Sequence, residues 1–196
     1  MSYLLIGLGN PGEKYKNTRH NAGKMLARWL KEEGRRKKEE GKWAIVETEC
    51  FMNESGGWVK RKMATKAKKV EKAEKSDNLS NLSNLSNLSN LYNNLFIAHD
   101  DLDIPLGSFK IQFGKGPRLH KGVLSVEQVL GTKEFWRVRI GVDSRKKEEG
   151  RRKKEEGEEY VLEKFKPDEK KVLEAVFVEI RDRLDSLSFL RKQESI

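Results

Sequence analysis

A short apolar segment followed by three closely spaced glycines constrains this chain more than any other feature. Residues 3–6 read Tyr-Leu-Leu-Ile, and residues 7–12 read Gly-Leu-Gly-Asn-Pro-Gly. The apolar run predicts a buried strand, and glycines at its carboxyl end let backbone and side chains crowd a ligand. His20 follows soon after, flanked by Arg19 and Asn21. A histidine in polar company beside such a turn supplies a proton acceptor, so this stretch predicts the edge of an active site.

Strand-like and helix-like segments alternate along the rest of the chain. Further strands are predicted at 43–46, 95–98, 108–113 and 136–142, and helices at 22–30, 123–130 and 167–184. Strands interleaved with helices are typical of layered α/β domains, and the length of the chain suits one domain. We therefore predict a single α/β domain over residues 1–196, with a mixed twisted sheet packed between helices.

Two kinds of sequence repeat interrupt this alternation. Segment 31–41 recurs letter for letter at 147–157, and 78–91 is a run of Asn-Leu-Ser triplets. Neither kind has the length of a solenoid repeat or enough apolar surface to add to a core. We expect surface insertions at 31–41, 71–93 and 144–157 that are flexible and dispensable.

The charge balance favours a polyanionic partner. The formal net charge is +10, and residues 60–75 hold eight basic side chains against two acidic ones. This run is read equally well as a nucleic-acid patch or as a solvated charge run. The chain has one cysteine, Cys50, and shows neither a leader peptide nor an apolar run long enough to span a membrane. These features predict a cytoplasmic protein without a disulfide or a membrane segment.

The glycine-rich turn also fits the letters of the dinucleotide fingerprint G-x-G-x-x-G. That fingerprint requires a helix to open at the glycines, so that its N-terminus meets the pyrophosphate. Here residues 11–15 read as a turn and loop, and the helix is expected to begin near Asn21. A dinucleotide-binding oxidoreductase is therefore only a minor alternative.

The chain has three histidines, His20, His99 and His120, and each is predicted in a loop or at a strand end. No pair has metal-ligand spacing, so we predict no metal site. His99 precedes an acidic cluster, residues 100–103, at the carboxyl end of a predicted strand, where ligand sites gather in α/β sheets. Carboxylates there either orient a histidine as a base or cap turns and bind water, and both readings stay open.

Taken together, these motifs resemble the bacterial peptidyl-tRNA hydrolase family. The resemblance covers most of the chain outside the repeats, in the family's order, and implies an enzyme that hydrolyses the ester between a peptide and the 3′ ribose of tRNA. It implies tRNA recycling by a monomer that needs no cofactor, metal or obligate protein partner. The matching positions are Tyr15 and residues 7–12, 18–23, 51–56, 99–107, 130–132, 135–142 and 160–165.

The resemblance also implies roles for individual residues. His20 matches the catalytic base that activates water, and Asp100 matches the carboxylate that supports it. Asn10 matches the residue that distinguishes blocked from free aminoacyl ends. Positions that contact the substrate or the tRNA phosphate are matched by Tyr15, Phe51, Asn53 and Arg139.

Several positions depart from the family's pattern, among them residues 47–50 before Phe51 and the early hairpin that residues 31–41 replace. Two further departures fall on expected substrate or phosphate contacts. Lys121 stands where the family usually has an asparagine in the substrate site. A lysine cannot accept a hydrogen bond, although its charge can meet an RNA phosphate or a peptide carbonyl. Gln112 stands where many members carry a basic phosphate contact. These departures leave a catalytically weakened tRNA-binding protein as the main alternative, which the separation of His20 from Asp100 would test.

Overall fold

A five-stranded sheet forms the middle layer of the molecule. The computed structural model describes residues 3–37, 43–74, 91–145 and 154–193. The strand order is β2-β1-β3-β5-β4; the first four of these strands are parallel, and β4 runs antiparallel to β5 at the edge. This mixed sheet confirms the predicted α/β fold. The strands are β1 (Tyr3–Gly7), β2 (Trp43–Glu47), β3 (Leu95–Pro105), β4 (Phe109–Phe113) and β5 (Trp136–Asp143).

Helices cover both faces of the sheet. Their bounds are α1 (Ala22–Lys37), α2 (Ser55–Glu74), α3 (Lys121–Leu130), α4 (Lys154–Leu162) and α5 (Pro167–Gln193). Successive strand residues point to opposite faces, so Leu5 and Phe96 join one core with α1 and α5, while Ile6 and Ile97 join another with α2 and α3. In the described part of the chain, 3₁₀ turns lie beside these layers at Glu13–Tyr15, Arg19–Asn21 and Met52–Glu54.

Strand β3 is longer than the sequence predicts. The run of apolar residues ends at Ala98. The parallel pairing with β5 nevertheless continues to Asp101, which lies opposite Gly141, and becomes irregular only after that. His99 therefore lies inside a strand. This differs from the sequence analysis, which predicts it in a loop or at a strand end. The continuous partner strand β5 explains this, because backbone pairing holds the polar residues extended where the side-chain pattern does not predict a strand.

The glycine-rich turn does not open an α-helix. Gly12 has a φ of 97°, and a three-residue 3₁₀ turn follows it. Helix α1 begins only at Ala22. The helix N-terminus that a bound pyrophosphate requires is therefore absent from this turn, and the dinucleotide-binding alternative is not supported.

The predicted insertions fall partly on helices. Helix α1 continues to Lys37, inside the first charged repeat, and α4 begins at Lys154, inside the second. The rest of these repeats, residues 38–41 and 147–153, and most of the triplet run, residues 78–90, lie outside the described residues. Among the helices that are described, none combines the length and the apolar character needed to cross a membrane.

Gly23 lets α1 approach the sheet closely. A Cβ atom at this position would overlap the carbonyl oxygen of Ala98 on β3 and would lie 2.9 Å from that of Leu8. The Gly23→Ala variant should therefore lose about 1–3 kcal/mol of unfolding free energy in urea titrations, as overpacked cores do. Gly34, on the same helix, has no such neighbours. The Gly34→Ala control should gain about 0.5–1 kcal/mol, and equal losses in both variants would contradict the close approach.

Candidate active site

The Asp100 carboxylate lies at the centre of a cluster of histidines. Asp100 is buried on β3, where its Oδ1 accepts hydrogen bonds from His20 Nδ1 at 3.0 Å and from His120 Nε2 at 2.9 Å. Its Oδ2 lies 3.1 Å from the same nitrogen of His20. The structure thus brings together the two residues that the sequence predicted as base and carboxylate. Their separation is within the range expected of a competent pair.

The hydrogen bonds define which ring nitrogens carry protons. An ionised carboxylate only accepts, so His20 Nδ1 and His120 Nε2 both donate to Asp100. The other nitrogen of His120, Nδ1, accepts the backbone N–H of Val123 at 3.2 Å and so caps helix α3. His20 Nε2 has no hydrogen-bond partner among the described residues. Its lone pair is therefore free to accept a proton.

Asp100 raises the basicity of His20. Burial by itself lowers the pKa of His20, but the charge of Asp100 and its hydrogen bond outweigh burial, and the pKa rises above the ordinary 6.5. Burial likewise raises the pKa of Asp100, but the two histidines reverse this and hold it well below its usual range. Asp100 therefore stays ionised at neutral pH and favours the protonated form of His20.

His99 supports the cluster from inside the sheet. Its side chain is fully buried, and its Nδ1–H donates to the backbone oxygen of Asp100 at 2.7 Å. Burial, together with the nearby His120, lowers the pKa of His99 to about 3. Its ring therefore stays neutral at physiological pH and packs edge-on against His120, with the ring centroids 4.9 Å apart.

The geometry alone would also admit a metal ion. One potential ligand atom each from His20, Asp100 and His120 lies within 4.8 Å of the others. A histidine binds a metal through a nitrogen lone pair, but His120 Nε2 carries its proton because Nδ1 accepts the Val123 N–H. Ligation at Nε2 would therefore break the cap of α3. This donor set fits a hydrogen-bonded relay better than a metal centre.

Asn10 connects the glycine-rich turn to the segment that carries His20. Its side-chain Oδ1 accepts the backbone N–H of Met52 at 2.9 Å. Its own backbone N–H donates to Asn21 Oδ1 at 2.8 Å, and Asn21 Nδ2 returns a hydrogen bond to the Asn10 carbonyl at 3.0 Å. The amide of Asn10 is thereby fixed in orientation. Its Nδ2, which bonds to no described residue, is free to donate to a ligand.

Two residues that shape the turn escaped the sequence interpretation. Thr48 is fully buried after β2; its Oγ1 accepts the N–H of Gly9 at 3.2 Å and lies 3.0 Å from the Gly9 carbonyl oxygen. A lone threonine after a strand carries no signal of this role. The sequence places Asn21 only near the start of a helix, whereas its side chain holds the backbone of Asn10.

Arg19 anchors the 3₁₀ turn of His20 to the C-terminal part of the chain. Its guanidinium is almost completely buried; Nη2 donates to both carboxylate oxygens of Glu169, at 2.7 and 2.9 Å, and Nη1 donates to the Lys164 carbonyl at 3.0 Å. The group also stacks over the Tyr160 ring, 4.3 Å from its centroid. Arg19 is thus a structural support and is not available to RNA. The sequence contains no cue that links it to Glu169.

The other predicted substrate contacts flank these residues. Phe51 is half exposed and immediately precedes Met52. Asn53 is exposed, and its carbonyl accepts the Ser125 hydroxyl of α3 at 2.8 Å. Tyr15 is half-buried in its 3₁₀ turn beneath Lys14 Nζ, 4.8 Å from the ring centroid.

The two predicted cations differ sharply in availability. Arg139 donates to Asp101 Oδ2 and Gln112 Oε1, both at 2.7 Å, and its side chain is only 12% exposed. Its Nη2 is the guanidinium nitrogen that bonds to no described residue. Lys121, by contrast, is 64% exposed and pairs with Glu158 at 2.9 Å. Lys121 is therefore much freer to move toward a ligand.

Comparisons with known proteins bear on the family to which this chain belongs. The family model described as peptidyl-tRNA hydrolase matches residues 4–195. A peptidyl-tRNA hydrolase of Mycobacterium marinum is 34% identical over 154 residues, covering 71% of this chain and 69% of the relative. The Mycobacterium tuberculosis protein of the same name is 31% identical over 199 residues, covering 94% of this chain and 90% of the relative.

Solved structures show the same fold. A peptidyl-tRNA hydrolase in complex with N-propanol superposes with a TM-score of 0.63 at 24% identity, covering 90% of this chain and 83% of that one. The Acinetobacter baumannii peptidyl-tRNA hydrolase gives a TM-score of 0.61 at 22% identity, with the same coverage. At these identities the likeness establishes the fold alone.

The electrostatics of the cluster can be tested by NMR titration of the three histidines. His20 should titrate above pH 6.5, because Asp100 stabilises its charged form, and His99 should stay neutral down to about pH 3. The Asp100→Asn variant should lower the pKa of His20, while Asp103→Asn, an exposed neighbour, should change it little. A His20 midpoint that is identical in the wild type and the Asp100→Asn variant would contradict the assignment.

Proposed function

Because the chain belongs to the peptidyl-tRNA hydrolase family, we propose that it hydrolyses the ester between a peptide, or an N-blocked amino acid, and the 3′ ribose of tRNA. The observation that best supports this function at the candidate site is the 3.0 Å contact between His20 Nδ1 and Asp100 Oδ1. It leaves one nitrogen of a partly buried imidazole, supported by the charge of Asp100, free to act as a base. Recycling of tRNA from aborted translation is the consequence.

The reaction needs a base, a positioned water and donors for the oxyanion. His20 Nε2 takes a proton from water as the oxygen attacks the ester carbonyl, and Asp100 stabilises the imidazolium that forms. The tetrahedral intermediate then expels the 3′ oxygen, which takes the proton back from His20. The products are a peptide carboxylic acid and a free 3′ hydroxyl. Every atom of this step comes from the ester and one water molecule.

Asn10 is placed to recognise the blocked end of the substrate. Its Oδ1 is occupied by the Met52 N–H, so its Nδ2 presents a donor. A peptide carbonyl next to the ester accepts such a bond, whereas the free ammonium of an aminoacyl-tRNA cannot. Phe51 and Asn53, beside Met52, and Tyr15, beside the glycine turn, would then contact the rest of the substrate.

The exposed cations supply the affinity for tRNA. Lys60, Arg61 and Lys62 lie on the solvent side of α2, in the basic run that the sequence singled out. Each phosphate that such cations neutralise steepens the salt dependence of binding by roughly 0.7–0.9. Arg139 can contribute through its remaining nitrogen. The side chains of residues 67–74 lie outside the described residues.

We also propose that the chain acts as a monomeric single domain in the cytoplasm. The contact between His20 and Asp100 is completed within one copy of the chain, and peptidyl-tRNA arises where translation takes place. Light scattering of the purified protein, with and without tRNA, measures its oligomeric state. A dimer at catalytic concentrations would overturn this part of the proposal.

The function is tested by release of free tRNA from N-acetyl-aminoacyl-tRNA. The wild-type protein should cleave this substrate and should leave unblocked aminoacyl-tRNA largely intact. A protein that binds tRNA but releases none would be a weakened tRNA-binding protein. The 3.0 Å contact between His20 and Asp100 argues against that alternative.

The base is tested by the His20→Ala variant. Loss of a general base should lower kcat by on the order of 10²- to 10⁴-fold, while the affinity for uncharged tRNA stays near that of the wild type. The His20 side chain lies outside both apolar clusters, and His120 still donates to Asp100 in the variant, so the circular dichroism spectrum should not change. Turnover near the wild-type rate would remove His20 from the mechanism.

The carboxylate is tested by the pH profile of kcat/KM. Only neutral His20 accepts a proton, so activity should rise with pH through the raised pKa of His20, above 6.5. The Asp100→Asn variant should lower the maximum rate and move this rise to lower pH, because the charge that favours the imidazolium is gone. The Asp103→Asn control keeps both the rate and the profile. A larger loss in the control would show that the wrong carboxylate was assigned.

A further inference from the structure

Lys121 and Glu158 form an ion pair at the rim of the histidine cluster. Lys121 is the first residue of α3 and directly follows His120, whose ring bonds to Asp100. Glu158 lies on α4, and its Oε2 is 2.9 Å from Lys121 Nζ. The pair therefore connects the helix that positions His120 to a different element of the chain.

Helix α4 is held beside His20. The backbone N–H of Arg19 donates to the Glu163 carbonyl at 3.0 Å, just after α4 ends, and Thr18 bridges to Lys164. The charges of both partners reach His20, where Lys121 lowers the pKa and Glu158 raises it. The ion pair thus spans the rim on the side where His20 lies.

This pair is weak enough to be exchanged. The Lys121 side chain is 64% exposed and that of Glu158 is 50% exposed. Solvent-exposed pairs contribute only about 0–1 kcal/mol, and a lysine ammonium swings on a flexible stem with three donors. A phosphate that approached Lys121 would therefore displace Glu158 at little cost.

The substrate brings a phosphate to this place. The scissile ester sits on the 3′ ribose, and the last phosphodiester of the RNA is one sugar away. A cation beside the base that activates the attacking water is therefore within reach of that phosphate. The neutral amide that the family usually has at this position can donate a hydrogen bond to a phosphate, but it has no charge with which to neutralise it.

We propose that Lys121 binds the terminal phosphodiester of tRNA and that Glu158 holds Lys121 at the rim until RNA displaces it. Glu158 then acts as a positioning residue that competes with RNA for one ammonium group. This inference rests on the proposed function for its substrate. It predicts a readout in RNA binding that does not depend on ester cleavage.

The experiment is a double-mutant cycle on the affinity for deacylated tRNA. Glu158→Gln should bind it about two- to five-fold more tightly, the range that an exposed ion pair represents. Glu159→Gln removes the same charge from an exposed neighbour on α4, so it measures how much the affinity rises from the loss of any negative charge there. Lys121→Asn should weaken binding and reduce the salt slope by about 0.7. In the Lys121→Asn background, Glu158→Gln should do no more than the Glu159→Gln control.

Three results would overturn the proposal. An equal effect of Glu158→Gln with and without Lys121 would show that Glu158 does not act through Lys121. An effect of Lys121→Asn on peptidyl-tRNA that is absent with deacylated tRNA would assign Lys121 to the peptide carbonyl. Unchanged affinity in both variants would make the pair a surface contact without a role. Failure of the wild type to release tRNA would reject the hydrolase function, and the binding cycle would still decide the role of Lys121.

Discussion

The carboxylate of Asp100 accepts hydrogen bonds from two imidazoles, and the placement of the surrounding elements depends on keeping that buried charge paired. A buried polar group that loses its hydrogen-bond partner typically costs about 1–3 kcal/mol, and a charged group costs more. His20 comes from the turn before α1, on one face of the sheet, and His120 caps α3, on the other face. The same oxygen of Asp100 therefore joins elements from both outer layers to β3. Movement of either helix away from the strand would leave a charge or a ring nitrogen unpaired.

The predictable parts of the fold are those in which burial and periodicity coincide. Leu4 to Ile6 and Phe96 to Ala98 are apolar because they face two cores, so their strands could be identified from the sequence. The extension of β3 through Asp101 could not, because pairing with β5 determines it and not the side chains. The association of His20 with Asp100 came from the family resemblance. The third member, His120, was noted without this role, because its contact depends on how α3 approaches β3.

The same limit applies to the cations. A sequence shows that an arginine is present, but it does not show whether a carboxylate of the same protein forms an ion pair with it. Arg19 and Arg139 lie in motifs that favour function, yet Glu169 and Asp101 each accept at 2.7 Å from one of them. Much of their charge is therefore used inside the protein. The net charge of +10 is available to RNA chiefly where side chains remain exposed, as at Lys60 and Arg61 on α2 and at Lys121.

The site combines a buried, fixed carboxylate with an exposed, exchangeable ion pair. Under the proposed function, ester cleavage requires groups that are held in place, whereas product release requires contacts that break easily. Proton transfer requires an orientation that does not relax, and a buried carboxylate that accepts from two rings supplies it, since any rearrangement would expose an unpaired charge. Release of a polyanionic product requires contacts that break easily. Exposed ion pairs contribute only about 0–1 kcal/mol to stability, so their partners exchange readily with solvent ions and phosphates. The Asp100 cluster and the Lys121–Glu158 pair meet at the start of α3. His120 belongs to the cluster, and the next residue, Lys121, belongs to the exchangeable pair. The N-terminus of that helix thus holds one side chain inside the site and leaves the next in solvent. Under the proposed function, tRNA would then leave without disturbing His20.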